Sequence, residues 1–328
     1  MFRILIPPHP VALLKLNCQQ WQMENTMKLM QKTLAVAVFV LFSGVVMAQS
    51  KSDVTVQEVN QTQKGNDNEQ ILDLGNAETG GQSKVTVDRL NQTQGGQGNS
   101  QTLSVGNARE GGKSDVTIQD LRQTQDGKGN TQNLSVGNAS AGGQSKVNVQ
   151  TLEQTQGGNG NIEQTLDLGN ASAGGKSNVT AKSVSQTQKG DGGVQRLKVG
   201  VADGGESNVH VQSINQTQGG KGNGQTAWIG QAEAGAKSNV SVNSVNQSQD
   251  GTGNIQALSV GSAGGSGSVS NVTGGNVNQN QKGTDNTQTL AIGTALNGGK
   301  SNVHIGGSVN QTQDGTGNTQ RANIGNAK

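Results

Sequence analysis

Two histidines, His210 and His304, hold the same place in two copies of one phrase, Ser207-Asn208-Val209-His210 and Ser301-Asn302-Val303-His304. Imidazole is the side chain best suited to neutral metal ligation and proton transfer. A metal centre needs three or four donors converging on one point. These two lie three copies of the phrase apart, and no cysteine follows Cys18. Glycine-rich stretches such as Gly95-Gly96-Gln97-Gly98-Asn99 invite a phosphate cradle. None ends in the lysine-serine or lysine-threonine pair of a P-loop, and none opens a helix after a strand. Calcium-binding nonapeptides would place an aspartate in every turn, which this chain does not do. Asn60-Gln61-Thr62 and its copies match a glycosylation acceptor only because the repeat spells one. No serine, histidine and acid recur with triad logic. The residues therefore assign no catalytic, cofactor-binding or metal-ligating role, and the chain reads as a non-enzyme that needs no cofactor.

Every one of these candidates is a position in a repeat. From Ser52 onward a unit of about 31 residues recurs nine times, starting at Ser52, Ser83, Ser114, Ser145, Ser177, Ser207, Ser238, Ser270 and Ser301. It reads S-x-V-x-V-x-x-L-N-Q-T-Q-x-G-x-G-N-x-Q-x-L-x-V-G-N-A-x-x-G-G-x. A fixed period in this range marks a stacked array, in which each unit completes its neighbour's core.

The first 48 residues have another chemistry. All prolines, phenylalanines and methionines and the single cysteine lie there. Lys28 and Lys32 precede an apolar run from Leu34 to Val46, followed by Met47-Ala48. The segment 27–48 reads as a signal peptide cleaved between Ala48 and Gln49. Its apolar run is shorter than the ~20 residues of a membrane span. Residues 1–26 read as an upstream start-site overcall, with Met27 or Met30 as the start. The remaining segment, 49–328, is expected to be one nine-repeat β-solenoid, secreted and without a membrane span. Four of the 24 basic and one of the 22 acidic residues precede Gln49. The segment after it thus carries one more acid than base, and no basic footprint for nucleic acid. Without cysteine, disulfides do not hold it.

One unit can be read as one rung. Val85 and Val87 alternate as in a strand with one buried face. Leu90, Gln92 and Gln94 alternate on the opposite parity, which demands a bend near Asp88-Arg89. Gly95 to Asn99 then form a turn, with Gly96, Gly98 and Asn99, and likewise Gly127, Gly129 and Asn130, as its key residues. Here glycine is expected to supply positive φ. Gln101, Leu103 and Val105 return as a second strand. The fold class is all-β, a solenoid of strand-turn-strand rungs whose nine layers would rise roughly 43 Å at the ~4.8 Å strand spacing.

A lone buried amide is costly unless its donors and acceptor are met. In an in-register stack each glutamine can bond its copies above and below. Two columns are expected to do so. The first holds Gln61, Gln92, Gln123, Gln154, Gln186, Gln216, Gln247, Gln279 and Gln311. The second holds Gln63, Gln94, Gln125, Gln156, Gln188, Gln218, Gln249, Gln281 and Gln313. Threonines between them, such as Thr93, and the solitary Trp228 should point outward.

The phrase Q-x-G-x-G-N, as in Gln94 to Asn99 and Gln125 to Asn130, together with a serine opening each rung and a glutamine two residues after the asparagine, resembles the curlin repeats. Curlins are the secreted subunits of curli, bacterial functional amyloid fibres. The resemblance spans the whole repeat region, although these rungs are longer than curlin rungs. It implies a fimbrium-type fibre built by self-polymerisation, for cell adhesion and biofilm matrix. It also implies a nucleator subunit and an outer-membrane export pore as partners, and it makes the repeated serine, glutamine, glycine and asparagine stacking residues. The alternative is a soluble monomeric solenoid that binds glycan, a surface or ice. Asp67, Asp285 and the stretch Gln188 to Gly193 break the turn pattern, so the first, fifth and eighth rungs are expected to polymerise least readily alone. Neither end carries an obvious cap.

Overall fold

A computed structural model describes residues 51–327 except 79–81, 111, 141–143, 172–175, 203–205, 234–236, 266 and 298. The expected signal peptide, its expected cleavage between Ala48 and Gln49 and the start-site reading lie outside the described residues. The fold is all-β: two parallel sheets stacked face to face as a β-solenoid. The first sheet takes the long strand of each rung in chain order. These strands are Lys51–Gln63, Gln82–Gln94, Lys113–Thr124, Gln144–Gln156, Ser177–Gln188, Ser207–Gln218, Lys237–Ser248 and Val269–Gln281, then the pair Lys300–Ile305 and Val309–Gln313. The second takes the return strands Gln70–Ala77, Gln101–Ala108, Thr131–Gly137, Asn161–Ala171, Gly192–Ala202, Gln225–Ala232, Gln256–Ala263, Gln288–Ala295 and Gln320–Ala327. No described helix is long and apolar enough to cross a membrane.

Side-chain identity sets the register. Ser83 pairs with Ser114, Val85 with Val116, Leu90 with Leu121 and Gln92 with Gln123. Where the period slips, as from Ser145 to Ser177, the strands still pair serine on serine and glutamine on glutamine. The extra residue is taken up between Gln156 and Gln164, because a turn absorbs a change in length that a strand of period two cannot.

Within the long strand Val85 and Val87 point into the core, Asp88 and Arg89 both point away, and Leu90, Gln92 and Gln94 point inward again. Two consecutive outward residues reverse the parity and bring both apolar sets to one face. The strand runs through this kink in most rungs. Only in the ninth do Gly306 to Ser308 divide it into two strands, whereas the eighth, with Gly274-Gly275, stays whole. The core is a double row of valine, leucine and isoleucine between the sheets, with Val85, Leu90, Leu103 and Val105 fully buried.

Each rung closes through a serine and a glycine. Ser114 Oγ donates to the Gly106 carbonyl at 3.0 Å and Ser145 Oγ to Gly137 at 3.0 Å, and the contact repeats up to Ser301 and Gly293 at 2.5 Å. A Cβ on Gly137 would lie 2.2 Å from Val147 Cγ2 and 2.6 Å from Ser145 Oγ. No other residue fits there, which explains why the return strand carries a glycine at this position in every rung.

Candidate stacking site

The first glutamine column forms an unbroken ladder. Gln92 Nε2 donates to Gln61 Oε1 at 2.8 Å, and the same bond links Gln123 to Gln92, Gln154 to Gln123 and Gln186 to Gln154 at 2.8–3.0 Å. It continues through Gln216, Gln247, Gln279 and Gln311 at 2.6–2.9 Å. Every bond points the same way, from the later rung to the earlier. The ladder therefore has a polarity: Gln61 offers an unused donor at one end and Gln311 an acceptor oxygen at the other. In a water-free interior, such matched amides avoid the cost of an unsatisfied polar group.

The second column departs from the sequence reading. Its members are buried from Gln94 to Gln281. Among the described residues, however, none bonds the next glutamine of its own column. Gln218 instead reaches across its turn. With its amide nitrogen facing the Gly224 carbonyl and its oxygen facing the Gly224 N–H, it makes two bonds of 3.1 Å. Gln313 does the same to Thr319 at 3.0 and 3.2 Å. The two carbonyls also accept from the backbone N–H of Gln195 and Gln288, so Gln218 and Gln313 add a second donor to each and meet the N–H of Gly224 and Thr319.

A third column was not among the ladder positions read from sequence. Gln70, Gln101 and Gln132 are buried and donate to the first-column glutamine of their own rung at 2.9–3.1 Å. Gln195, Gln225 and Gln256 instead bond along their own column at 2.9–3.2 Å. The signal for them is the glutamine two residues after the turn asparagine, on the same parity as the core leucine.

In the turns, asparagine closes the loop: Asn99 Nδ2 donates to the Gly95 carbonyl at 2.8 Å and Asn130 to Asp126 at 3.1 Å. The glycines act differently from expectation. Positive φ falls on the residue between them, Gln97 at 125°, Lys128 at 103° and Thr252 at 81°, and not on Gly96, Gly98, Gly127 or Gly129. Gly98 is needed for space, since a Cβ there would lie 3.1 Å from the Asp67 Cα of the rung below. In the fifth rung Gly193 replaces the asparagine, and the side-chain amides of Gln188 and Gln218 close over it, 2.4 and 2.7 Å from where a Cβ would stand.

Outside, the two halves of the first sheet differ. In the first four rungs Asp53, Lys84, Asp115 and Lys146 stand in one column with alternating charge, and Glu58, Arg89 and Asp120 in another. In the last five the first of these columns is Asn178, Asn208, Asn239, Asn271 and Asn302, linked by amide bonds of 2.7–2.8 Å. Among the described residues four ion pairs also join adjacent rungs: Glu78–Arg109, Arg122–Glu153, Lys176–Glu206 and Glu163–Arg196. On the second sheet Asp73 accepts from Asn107 at 2.6 Å. Burial raises its carboxyl above the usual range, outweighing the lowering by Asn76, Arg109 and Asn107.

His210 and His304 are exposed and three rungs apart, roughly 14 Å at the strand spacing. Among the described residues no group of three histidine, cysteine or acidic side chains could hold a metal ion. Trp228 lies on the outer face with Lys198 Nζ 5.7 Å from its ring centroid, a cation–π contact across one rung step.

The first and ninth rungs are the edges of both sheets. Comparison with known proteins returned no matching family model, no matching curated protein and no matching solved structure.

Proposed function

We propose that this chain is a secreted structural subunit that polymerises end to end into cross-β fibres of the curli kind, for adhesion and a biofilm matrix. The observation that carries the reading is the open ninth rung. Its return strand Gln320–Ala327 is exposed along its length, although the same columns are buried in the inner rungs. Ile324 is 49 % exposed where Ile292, one rung below, is 1 % exposed. Unpaired strand edges and uncovered apolar columns favour the addition of another strand. A first rung of a second copy supplies the needed residues: glutamine for Gln311 and Gln320, leucine for Ala322 and Ile324. The ladder polarity fits, since the free donor of Gln61 would meet Gln311 Oε1, which accepts from Gln320 alone, whereas Gln92 Oε1 accepts from both Gln101 and Gln123. A nucleator subunit and an outer-membrane export pore are the partners this role calls for.

The test is electron microscopy of residues 49–328 diluted from denaturant to micromolar concentration. Unbranched fibres with a ~4.7 Å meridional repeat support the reading. Discrete rods that never elongate would overturn it in favour of a soluble binding module.

A further inference from the structure

We propose that the junction between copies is keyed by charge: Arg321 on the last rung of one copy pairs with Glu69 and Asp73 on the first rung of the next. The inference rests on the stacked-fibre reading and specifies its partner surface.

The argument begins with how charge is handled inside the solenoid. Outward charges on adjacent rungs meet opposite charges, in the Asp53–Lys84–Asp115–Lys146 column and in the four ion pairs. The two end rungs carry charge excesses of opposite sign. The first rung carries Asp53, Glu58, Asp67, Glu69, Asp73 and Glu78 against Lys51 and Lys64. The ninth carries Lys300 and Arg321 against Asp314. One end is acidic and the other mildly basic, and among the described residues Arg321 faces no acid on the eighth rung, where its register partner is Thr289.

An internal pair shows what Arg321 can reach. Arg196 holds the same column as Arg321, as the register through Thr226, Ala257 and Thr289 shows. Arg196 forms an ion pair with Glu163, which stands two residues before its register partner Thr165 on the adjacent rung. Glu163 in turn holds the column of Glu69, each directly preceding a third-column glutamine. Continuing the stack by one rung sets Gln320 on Gln70 and Arg321 on Ile71. Glu69 then lies two residues before that register partner and Asp73 two after it. The junction thus recreates the Glu163–Arg196 pair, with the acid on the following rung instead of the preceding one. Stacking two acidic ends or two basic ends would set like charges together, so the key also favours head-to-tail addition.

The test uses R321E, E69R and wild-type chains of residues 49–328, with seeded elongation followed by dye fluorescence at low ionic strength. All these side chains are exposed, and circular dichroism of the fibres checks that the variants keep the β fold. Each single variant places like charges at every junction and should elongate about fivefold or more slower than wild type, a deficit that shrinks at high salt. An equimolar mixture of R321E and E69R should elongate clearly faster than either variant alone, because alternating copies then carry opposite charges at positions 321 and 69 of every junction, although Asp73 still meets the acid that R321E introduces. The key is overturned if R321E elongates like wild type, or if the mixture is no faster than its components. Fibres from wild type with either of those results sink the key alone. A wild-type chain that forms no fibres sinks the stacked-fibre reading and the key with it.

Discussion

Replacing first-column glutamines by leucine in pairs tests whether the column acts as a ladder. Gln123 makes three side-chain bonds: to Gln92, from Gln154 and from Gln132. Gln154 also makes three: to Gln123, to the Thr165 carbonyl and from Gln186. Gln186 makes three more: to Gln154, to the Arg196 carbonyl and from Gln216. The neighbours Gln123 and Gln154 share one bond of 2.9 Å, whereas Gln123 and Gln186 share none. At about 1 kcal/mol net per bond, the double variant Q123L/Q154L should cost about 1 kcal/mol less than the sum of its singles. Q123L/Q186L, which share no bond and are linked only through their common partner Gln154, should lie closer to additive than Q123L/Q154L. Leucine adds apolar burial that offsets part of each single cost, but this cancels in the cycle. The assay is urea unfolding of freshly diluted monomer followed by circular dichroism, with a common slope across the set. Equal additivity in both pairs would show that the buried amides are independent and that the ladder contributes nothing cooperative.

Three further outcomes follow from the same geometry. G137A drives a methyl into Val147 and Ser145 and should cost about 3 kcal/mol, seen as a lower urea midpoint, while an alanine at the exposed Gly315, which has open space around it, should cost well under half of that. T252G should raise the unfolding free energy by about 1 kcal/mol, because Thr252 holds φ at 81° where an L side chain is strained; no gain would place the cost elsewhere. For Asp73, the raised folded-state pKa means that ionisation opposes folding above it. D73N should therefore be more stable than wild type at neutral pH, and the difference should close as pH falls below the ordinary carboxylate range near 3.9. A gap that widens on acidification would reverse the sign of the burial effect.

The period made the fold legible, because nine units that keep register across turns of different length can only be strands stacked on strands. The parity switch between Val87 and Leu90 also revealed the kink before any coordinate was known. The partners of the second glutamine column were not legible. Alternation says that Gln94 points inward, as Gln92 does, but not that its column, at the strand end, forms no ladder, nor that Gln218 and Gln313 turn to the backbone of the turn. The third column was hidden for a related reason: whether Gln101 bonds Gln92 or its own copy depends on the distance between sheets, which no one-dimensional pattern carries. In the turns, glycine was read as the source of positive φ at Gly96 and Gly98. Backbone packing against the rung below at Gly98 turned out to matter instead, leaving Gln97 to take the strained angle. The serine that opens each unit stood out as a repeat marker, yet its bond to the glycine of the preceding strand appears only once the rung is closed.

Helical reconstruction by electron cryomicroscopy of fibres grown from residues 49–328 tests the central claim most directly. If stacking continues through the junction, subunits repeat every nine rungs, roughly 43 Å at the strand spacing, with Gln61 of one copy bonded to Gln311 of the last and no break in either sheet. A longer repeat with a gap or a crossed contact between copies would contradict end-to-end stacking, and isolated particles about 40 Å long would contradict polymerisation itself.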